Sequence, residues 1–282
     1  MATVVIAAHN EAAVLGGCLD TLLSDARPGE LEVIVVANGC TDRTADVARA
    51  RGGVRVLEIE RPSKIAALNA GDAAASGFPR IYLDADIHVS TDGVRALVDA
   101  LEGPGAALVA VPSRRLELDD RPWLVRGYYT VQRRLPVFEN ALFGRGLVAL
   151  SAAGRARFVD FPEVIADDLF LDSLFTTAEK LRLPDVVTSV ATPMRTRDLT
   201  RRLVRVRRGN AALRGAAPSG AMVRAMDRWS WLRDVVAPRP WLAPAGLVYV
   251  GLTAWAALLA RRTPAHPAWG RDESSRSLAA RG

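Results

Sequence analysis

The chain has 282 residues, half of them apolar, with 37 basic against 31 acidic side chains and a net charge of +6. This composition excludes an intrinsically disordered chain and allows one large or two modest domains with a packed core. The basic set is almost all arginine, Lys64 and Lys180 being the lysines; such a surface suits phosphate-bearing ligands, anionic lipid or nucleic acid without choosing among them.

The N-terminus, MATVVIAAHNE, runs straight into strand-like sequence with no secretory leader pattern. The cysteines, Cys18 and Cys40, have neither CxxC nor metal spacing, so the body of the chain is expected in a reducing cytoplasm. Residues 3–8 (TVVIAA) read as a buried strand, followed by a helix with Leu15, Cys18, Leu19, Leu22 and Leu23 on one face. Residues 32–37 (EVIVVA) form the second predicted strand, closed by the Asn38-Gly39 turn, with Thr44 as cap of the next helix. Residues 54–60, 80–84 and 107–113 are the third, fourth and fifth. Thr91 is the expected cap of a helix whose stripe is Val94, Leu97, Val98 and Leu101.

Continuous apolar strands alternating with helices predict an α/β fold with a mostly parallel sheet covered on both faces. Ligands bind such sheets beyond the carboxyl ends of the strands. That rule puts AAHNE, ANGCTD and LDADIH on one rim. Beyond residue 115 the pattern becomes irregular, then offers a helix-like DDLFLDSLFTTAEK, a strand-like DVVTSVATPM and an arginine-dense segment at 195–208.

Asp84 and Asp86 end the fourth strand one residue apart, and on a persisting strand both would face the same way. Close carboxylates repel and raise each other's pKa unless a cation compensates them. Oxygen-only ligation favours Mg²⁺ or Mn²⁺ and leaves coordination positions for substrate phosphates. Aspartates at a strand end also serve as turn and cap residues; the shared rim is what points to metal here. His88 is left out of the metal site.

These motifs, in this order, resemble the inverting glycosyltransferases of family 2, of the non-processive bacterial type with the GT-A fold. VVIAAHNEAAVLGGCL is similar to the first-strand motif of that family, VIVVANGCTDRTADVA to its second, KIAALNAG to its lysine-bearing helix start, YLDADIHV to its DxD and FPEVIADDLFLDSLF to its acidic motif. The resemblance implies that Ala8, His9, Asn10, Glu11 and Asn38 line the nucleotide pocket. It implies that Lys64 approaches the donor phosphates, and that Asp84 and Asp86 contact the ribose and the metal-bound diphosphate. Asp168, with Asp167 as alternative and Asp172 as competitor one turn on, would take the proton from the acceptor hydroxyl. Members often carry two acids where this chain has Ala37 and Asn38, which leaves the nucleotide base open. Gly144 and Gly146 match an acceptor-side loop. Arg202 and Arg205 stand where processive members carry QxxRW; its glutamine and tryptophan are missing, so a single sugar per encounter is expected, with arginines neutralising diphosphate.

The implied cofactor is Mg²⁺ or Mn²⁺, and the implied partners are a nucleotide-diphosphate sugar, a hydroxyl acceptor that is free or lipid-linked, a membrane surface, and no nucleic acid. Residues 241–260 are a charge-free run of bilayer length between Arg239 and Arg261-Arg262. Met222, Ala225, Trp229, Leu232 and Val236 suggest an interfacial helix upstream. The expected division is a GT-A domain at 1–210, a helical extension at 211–262 whose segment 241–260 spans or lies on the cytoplasmic face of the plasma membrane, and a disordered tail at 263–282. A sugar nucleotidyltransferase would open on a glycine-rich loop where this chain has AAHNEAAVLGG. A non-catalytic nucleotide-sugar or membrane-binding module with the same fold would have little use for Asp168.

Overall fold

The computed structural model describes residues 1–103, 105–163, 167–216 and 227–262. In chain order the regular elements are β1 (Ala2–Ala8), α1 (Leu15–Leu23), β2 (Leu31–Asn38), α2 (Thr44–Arg49), β3 (Val54–Ile59), α3 (Lys64–Ala74), β4 (Arg80–Asp84) and α4 (Thr91–Asp99). There follow β5 (Val109–Glu117), α5 (Trp123–Gln132), β6 (Leu147–Leu150), α6 (Ala152–Arg155), α7 (Asp167–Ser173), β7 (Lys180–Ala191), α8 (Thr196–Ala216) and α9 (Ala243–Arg262). The strands form one seven-stranded sheet in the order β3-β2-β1-β4-β6-β5-β7. The first four strands pair in parallel, whereas β6 runs antiparallel to β4 and β5.

The chain divides into two compact units. The first takes its described residues from 1–115, 144–163 and 174–190, the second from 116–143, 167–173 and 191–262. In the first unit, Ile34 and Val36 of β2 pack with Ala67 of α3, joined by Ala7, Leu57 and Ile59. Alternate residues Val4, Ile6, Val33 and Val35 are equally buried, so both faces of the parallel part are covered, as its unbroken apolar strands require.

A buried polar network holds α3 against β4. Asp72 accepts from the Tyr82 hydroxyl at 2.8 Å and from Arg155 Nε at 2.7 Å, and pairs with Arg80 at 3.2 Å. Burial, and then the Asp72 carboxylate, hold the Tyr82 phenol well above its ordinary pKa, so it remains a donor. Since α3 runs antiparallel to β4, fixing the Asp72 end also fixes where Lys64, at the other end of α3, meets the carboxyl end of β4.

Several local expectations shift. Ser90, whose hydroxyl accepts from Gly93 N, caps α4. Thr91 is instead buried, donating to the Leu22 carbonyl and accepting from Asp25 N. Thr44 lies inside α2 with Arg43 at the cap position, its hydroxyl used by Asp42 and by Glu11 N. The helix expected over 167–180 stops at Ser173, because Thr176 and Glu179 close a capping box that starts a short 3-10 turn. Leu147–Leu150, read as part of an irregular stretch, is β6, and it separates β4 from β5. Within the second unit Trp231–Val236 is a π-helix; its wider spacing turns Val236 inward while Trp229 and Leu232 are exposed. Met222, Ala225 and the tail 263–282 lie outside the described residues.

The core of the second unit gathers Val125, Tyr128, Tyr129, Val131, Leu135, Leu199, Val235 and Tyr249. Tyr128 stacks on Tyr249 at 5.1 Å, tying α9 to α5. Gly246 lets α9 approach closely, since a Cβ there would lie 2.9 Å from Val236 Cγ2.

Asp72→Ala leaves the guanidinium groups of Arg80 and Arg155 without their shared carboxylate in a buried site. We expect it to cost about 3–5 kcal/mol, read as a lower urea midpoint at unchanged slope. Asp20→Ala, which removes an exposed partner of Arg51, should cost under about 1 kcal/mol.

Candidate active site

Strand register builds the rim. Ala7 of β1 is level with Asp84 of β4, Ala8 with Ala37 of β2, and Asn38 with Ile59 of β3. Neighbouring strands lie about 4.8 Å apart, so Asp84 and Ile59 stand roughly 14 Å apart along this edge. The predicted loops all leave from that row.

The loop after β1 and the loop after β2 are stitched together. His9 Nδ1–H donates to the Asn38 carbonyl at 2.5 Å, and Asn38 Nδ2 donates to the Ala8 carbonyl at 2.8 Å. Asn10 adopts a positive φ of 52°, a region asparagine tolerates, and its Oδ1 accepts from Thr41 N at 2.7 Å. Glu11 N donates to Thr44 Oγ1 at 2.7 Å and Ala12 N to Asp42 Oδ2 at 3.1 Å. Asn38 is fully buried and braces the rim from within, and Glu11 is 7% exposed. Beside these loops a cleft of about 420 Å³ is lined by Ala37, Gly39, Cys40, Glu58, Ile59 and Glu60. Glu58 is engaged by Arg49.

Lys64 is the first residue of α3, after the Ser63 cap. Its Nζ donates to Asp84 Oδ1 at 2.8 Å. A cation at a helix N-terminus opposes the macrodipole by about 0.3–1 kcal/mol, and a solvent-exposed ion pair returns about 0.2–1 kcal/mol.

The strand does not persist through the aspartate pair. β4 ends at Asp84, and Asp86 sits in a turn closed by Ile87 N donating to the Asp84 carbonyl at 3.1 Å. The Gly144–Gly146 loop packs beside this turn: Asp84 N donates to the Gly146 carbonyl at 2.8 Å. A Cβ on Gly146, at φ +71°, would fall 2.2 Å from Ile87 Cγ1, so glycine is required there. Between the glycines, Arg145 is buried and donates to the Pro112 carbonyl at 2.8 Å, while Thr188 Oγ1 donates to the Arg145 carbonyl at 3.0 Å. His88, exposed, meets Thr21 Oγ1 at 3.1 Å. Two carboxylates of this kind are hard oxygen donors suited to Mg²⁺ or Mn²⁺, and among the described residues no group of three or more His, Cys, Asp or Glu gathers to hold a metal. Cys18 reports the same charges: burial, with Asp86 and Asp84 adding to it, pushes its thiol up to about 12.

The other expected residues belong to the second unit. Asp167 opens α7, and Asp168 Oδ1 accepts from Leu169 N at 2.9 Å. Asp172 is 2% exposed and accepts from Leu142 N at 3.0 Å, which gives it a structural task. Arg202 and Arg205 lie half-buried on α8. Burial holds the Tyr128 phenol well above its ordinary range, against an opposing pull from Arg202 and Arg207. Residues missed from sequence are Asp42 and Thr44, which order the paired loops, and Glu58 and Glu60 at the cleft. The carboxyl-end rule applied to β3 would have found Glu60.

The model of glycosyl transferase family 2 matches residues 3–154, more than half the chain, and the chain belongs to that family. It is a glycosyltransferase with the GT-A fold. No curated protein matches the sequence. Among solved structures it is similar to a mannosyltransferase from Pyrobaculum calidifontis in complex with GDP-Man and Mn²⁺, with a TM-score of 0.61 and 22% identity over 99% of this chain and 78% of the other. Glucosyl-3-phosphoglycerate synthase from Mycobacterium tuberculosis, with Mn²⁺, UDP and phosphoglyceric acid, gives 0.53 and 22% over 78% and 80%. S. aureus TarS gives 0.52 and 15% over 91% and 81%. At these identities the likeness shows a shared fold.

The cleft yields a direct test. Cys40 is half-buried at the cleft, and Cys18 is buried and stays a protonated thiol well above neutral pH, as its raised pKa requires. At pH 8, maleimide should label one thiol, mapped to Cys40 by peptide mass, and Cys18 only after unfolding. A bound nucleoside diphosphate should slow the labelling of Cys40.

Proposed function

We propose that this chain transfers a single sugar from a nucleotide-diphosphate donor, with Mg²⁺ or Mn²⁺, to an acceptor hydroxyl with inversion, the acceptor being lipid-linked and presented at the cytoplasmic face of the membrane. The observation that carries the donor half is the level row of strand ends, with the Lys64 and Asp84 pair at one end and the cleft of about 420 Å³ at the other. The membrane half draws support from Pro240–Arg262, a helix apolar enough to meet a bilayer.

In this reading His9, Asn10 and Glu11 shape the nucleotide side of the rim, and Lys64 moves its charge from Asp84 to the donor phosphates. Asp84 and Asp86 would hold the metal, which supplies charge stabilisation to the departing diphosphate. The Gly144–Gly146 loop lets backbone approach the sugar, and Arg202 and Arg205 add positive charge. Asp168 accepts the proton of the attacking hydroxyl, and one displacement inverts the anomeric centre. Bound GDP-Man, or UDP, with Mn²⁺ in the structural relatives supports a metal-dependent nucleotide-sugar donor.

The test is acceptor-free hydrolysis of UDP-, GDP- and dTDP-sugars by the purified chain with Mn²⁺ or Mg²⁺. One donor should turn over, and Asp86→Ala should abolish the metal dependence. Asp168→Asn should slow turnover by about 10²- to 10⁴-fold while donor binding, read by thermal shift, persists. Lys64→Ala should leave stability within about 1 kcal/mol of the parent and still lose donor affinity. Failure of every donor both to turn over and to bind would overturn the reading.

A further inference from the structure

Helix α9 has two apolar faces, and only one is covered. Gly246, Tyr249 and Ala256 are buried against its own unit. The opposite stripe, Pro244, Leu247, Gly251, Trp255 and Leu258, is open at helical spacing and leads to Arg261 and Arg262. Leu247 is 73% exposed, and Trp241, just before the helix, 74%. A helix against water carries polar residues on that side, so this stripe is built for another surrounding.

We propose that α9 lies flat in the interface of an anionic membrane, its Leu247–Leu258 stripe buried among the acyl chains, and that it does not span. This rests on the membrane half of the proposed function and is independent of the donor chemistry.

Three observations name lipid as the occupant. The stretch from Val235 to Arg262 contains no acidic residue, while Arg239 lies before the helix and Arg261 and Arg262 end it, all exposed. Cationic ends with an apolar, tryptophan-bearing stripe between them match an anionic headgroup layer over hydrocarbon. The exposed tryptophans among the described residues, Trp123, Trp229, Trp241 and Trp255, all belong to this unit, and tryptophan favours the headgroup level.

The packing decides between lying and spanning. By length and hydropathy alone, Pro240–Arg262 would cross a bilayer. Yet α9 packs on α5 and α8, through Tyr249 stacked on Tyr128 and Val248 against Gly127. To span, it would have to strip off these partners or carry α8, with Arg201, Arg202, Arg205, Arg207 and Arg208, into hydrocarbon, where arginine is costly. Lying flat keeps the buried face as it is and gives the open stripe its apolar surrounding.

The full-length chain is mixed with vesicles of phosphatidylcholine, alone or with phosphatidylglycerol, and floated on a density gradient. It should float with the anionic vesicles and far less with the neutral ones, and Leu247→Glu with Leu258→Glu should lower the bound fraction about tenfold or more. Both substitutions lie on the open stripe, so thermal unfolding and donor hydrolysis should match the parent. For depth, a fluorophore is placed on Leu247→Cys or Leu258→Cys in a Cys40→Ser background and quenched by lipids brominated at different depths. Equal depths are expected; depths differing by about 16 Å, the rise of eleven residues, mean a spanning helix and overturn the proposal. It is equally overturned if the parent fails to float, or if it is a dimer without lipid that the two glutamates dissociate. Donor turnover is read in the same preparations, so loss of membrane binding with intact turnover leaves the transferase reading standing.

Discussion

The placement of Lys64 at the rim is tied to one carboxylate, Asp72, at the other end of α3. Asp72 gathers Arg80, Tyr82 and Arg155 where α3 ends beside the start of β4 and α6. Burying such a group costs desolvation that apolar packing would avoid, and it contributes little net stability. What it does fix is direction and register. Apolar packing through Ile65, Ala67 and Leu68 holds α3 to the sheet, and the charged network adds a directional fixed point at its end. The charged network cannot slide without orphaning guanidinium groups. Lys64 is therefore delivered to Asp84 from the far end of the same helix.

Much of the first unit is legible in sequence because its strands are buried on both faces and therefore read as unbroken apolar runs. The motifs that follow them, AAHNE, ANGCTD and LDADIH, fall on one edge for topological reasons that need no coordinates. What escapes is pairing. β6 is four residues long inside an arginine-rich stretch, and nothing local says that it inserts antiparallel between β4 and β5. Threonine caps are misread for a related reason: the hydroxyls of Thr44 and Thr91 are used by neighbours distant in sequence, so the capping positions fall one residue earlier, at Arg43 and Ser90.

The second unit is harder to read because the chain contributes to it in separate segments, with strands of the first unit in between. Tyr128 and Tyr249 are far apart in sequence, yet they stack in one core. Hydropathy sees α9 as a bilayer span because it averages over all faces. Only the contacts with α5 and α8 distinguish the side that the protein covers from the side it leaves open.

Exposure sets how loosely the Lys64 and Asp84 charges are held. The Lys64 and Asp84 side chains are 28% and 42% exposed, and an ion pair so wetted contributes at most about 1 kcal/mol. Burial raises the Cys18 thiol, and the nearby Asp86 and Asp84 carboxylates add to it. In the proposed function a divalent cation held by Asp84 and Asp86 would bring two charges to the carboxylate oxygens and keep positions for phosphate. In the same proposal Lys64 would leave Asp84 at small cost to meet the donor's phosphates. A stronger, buried pair would have held the lysine where it is.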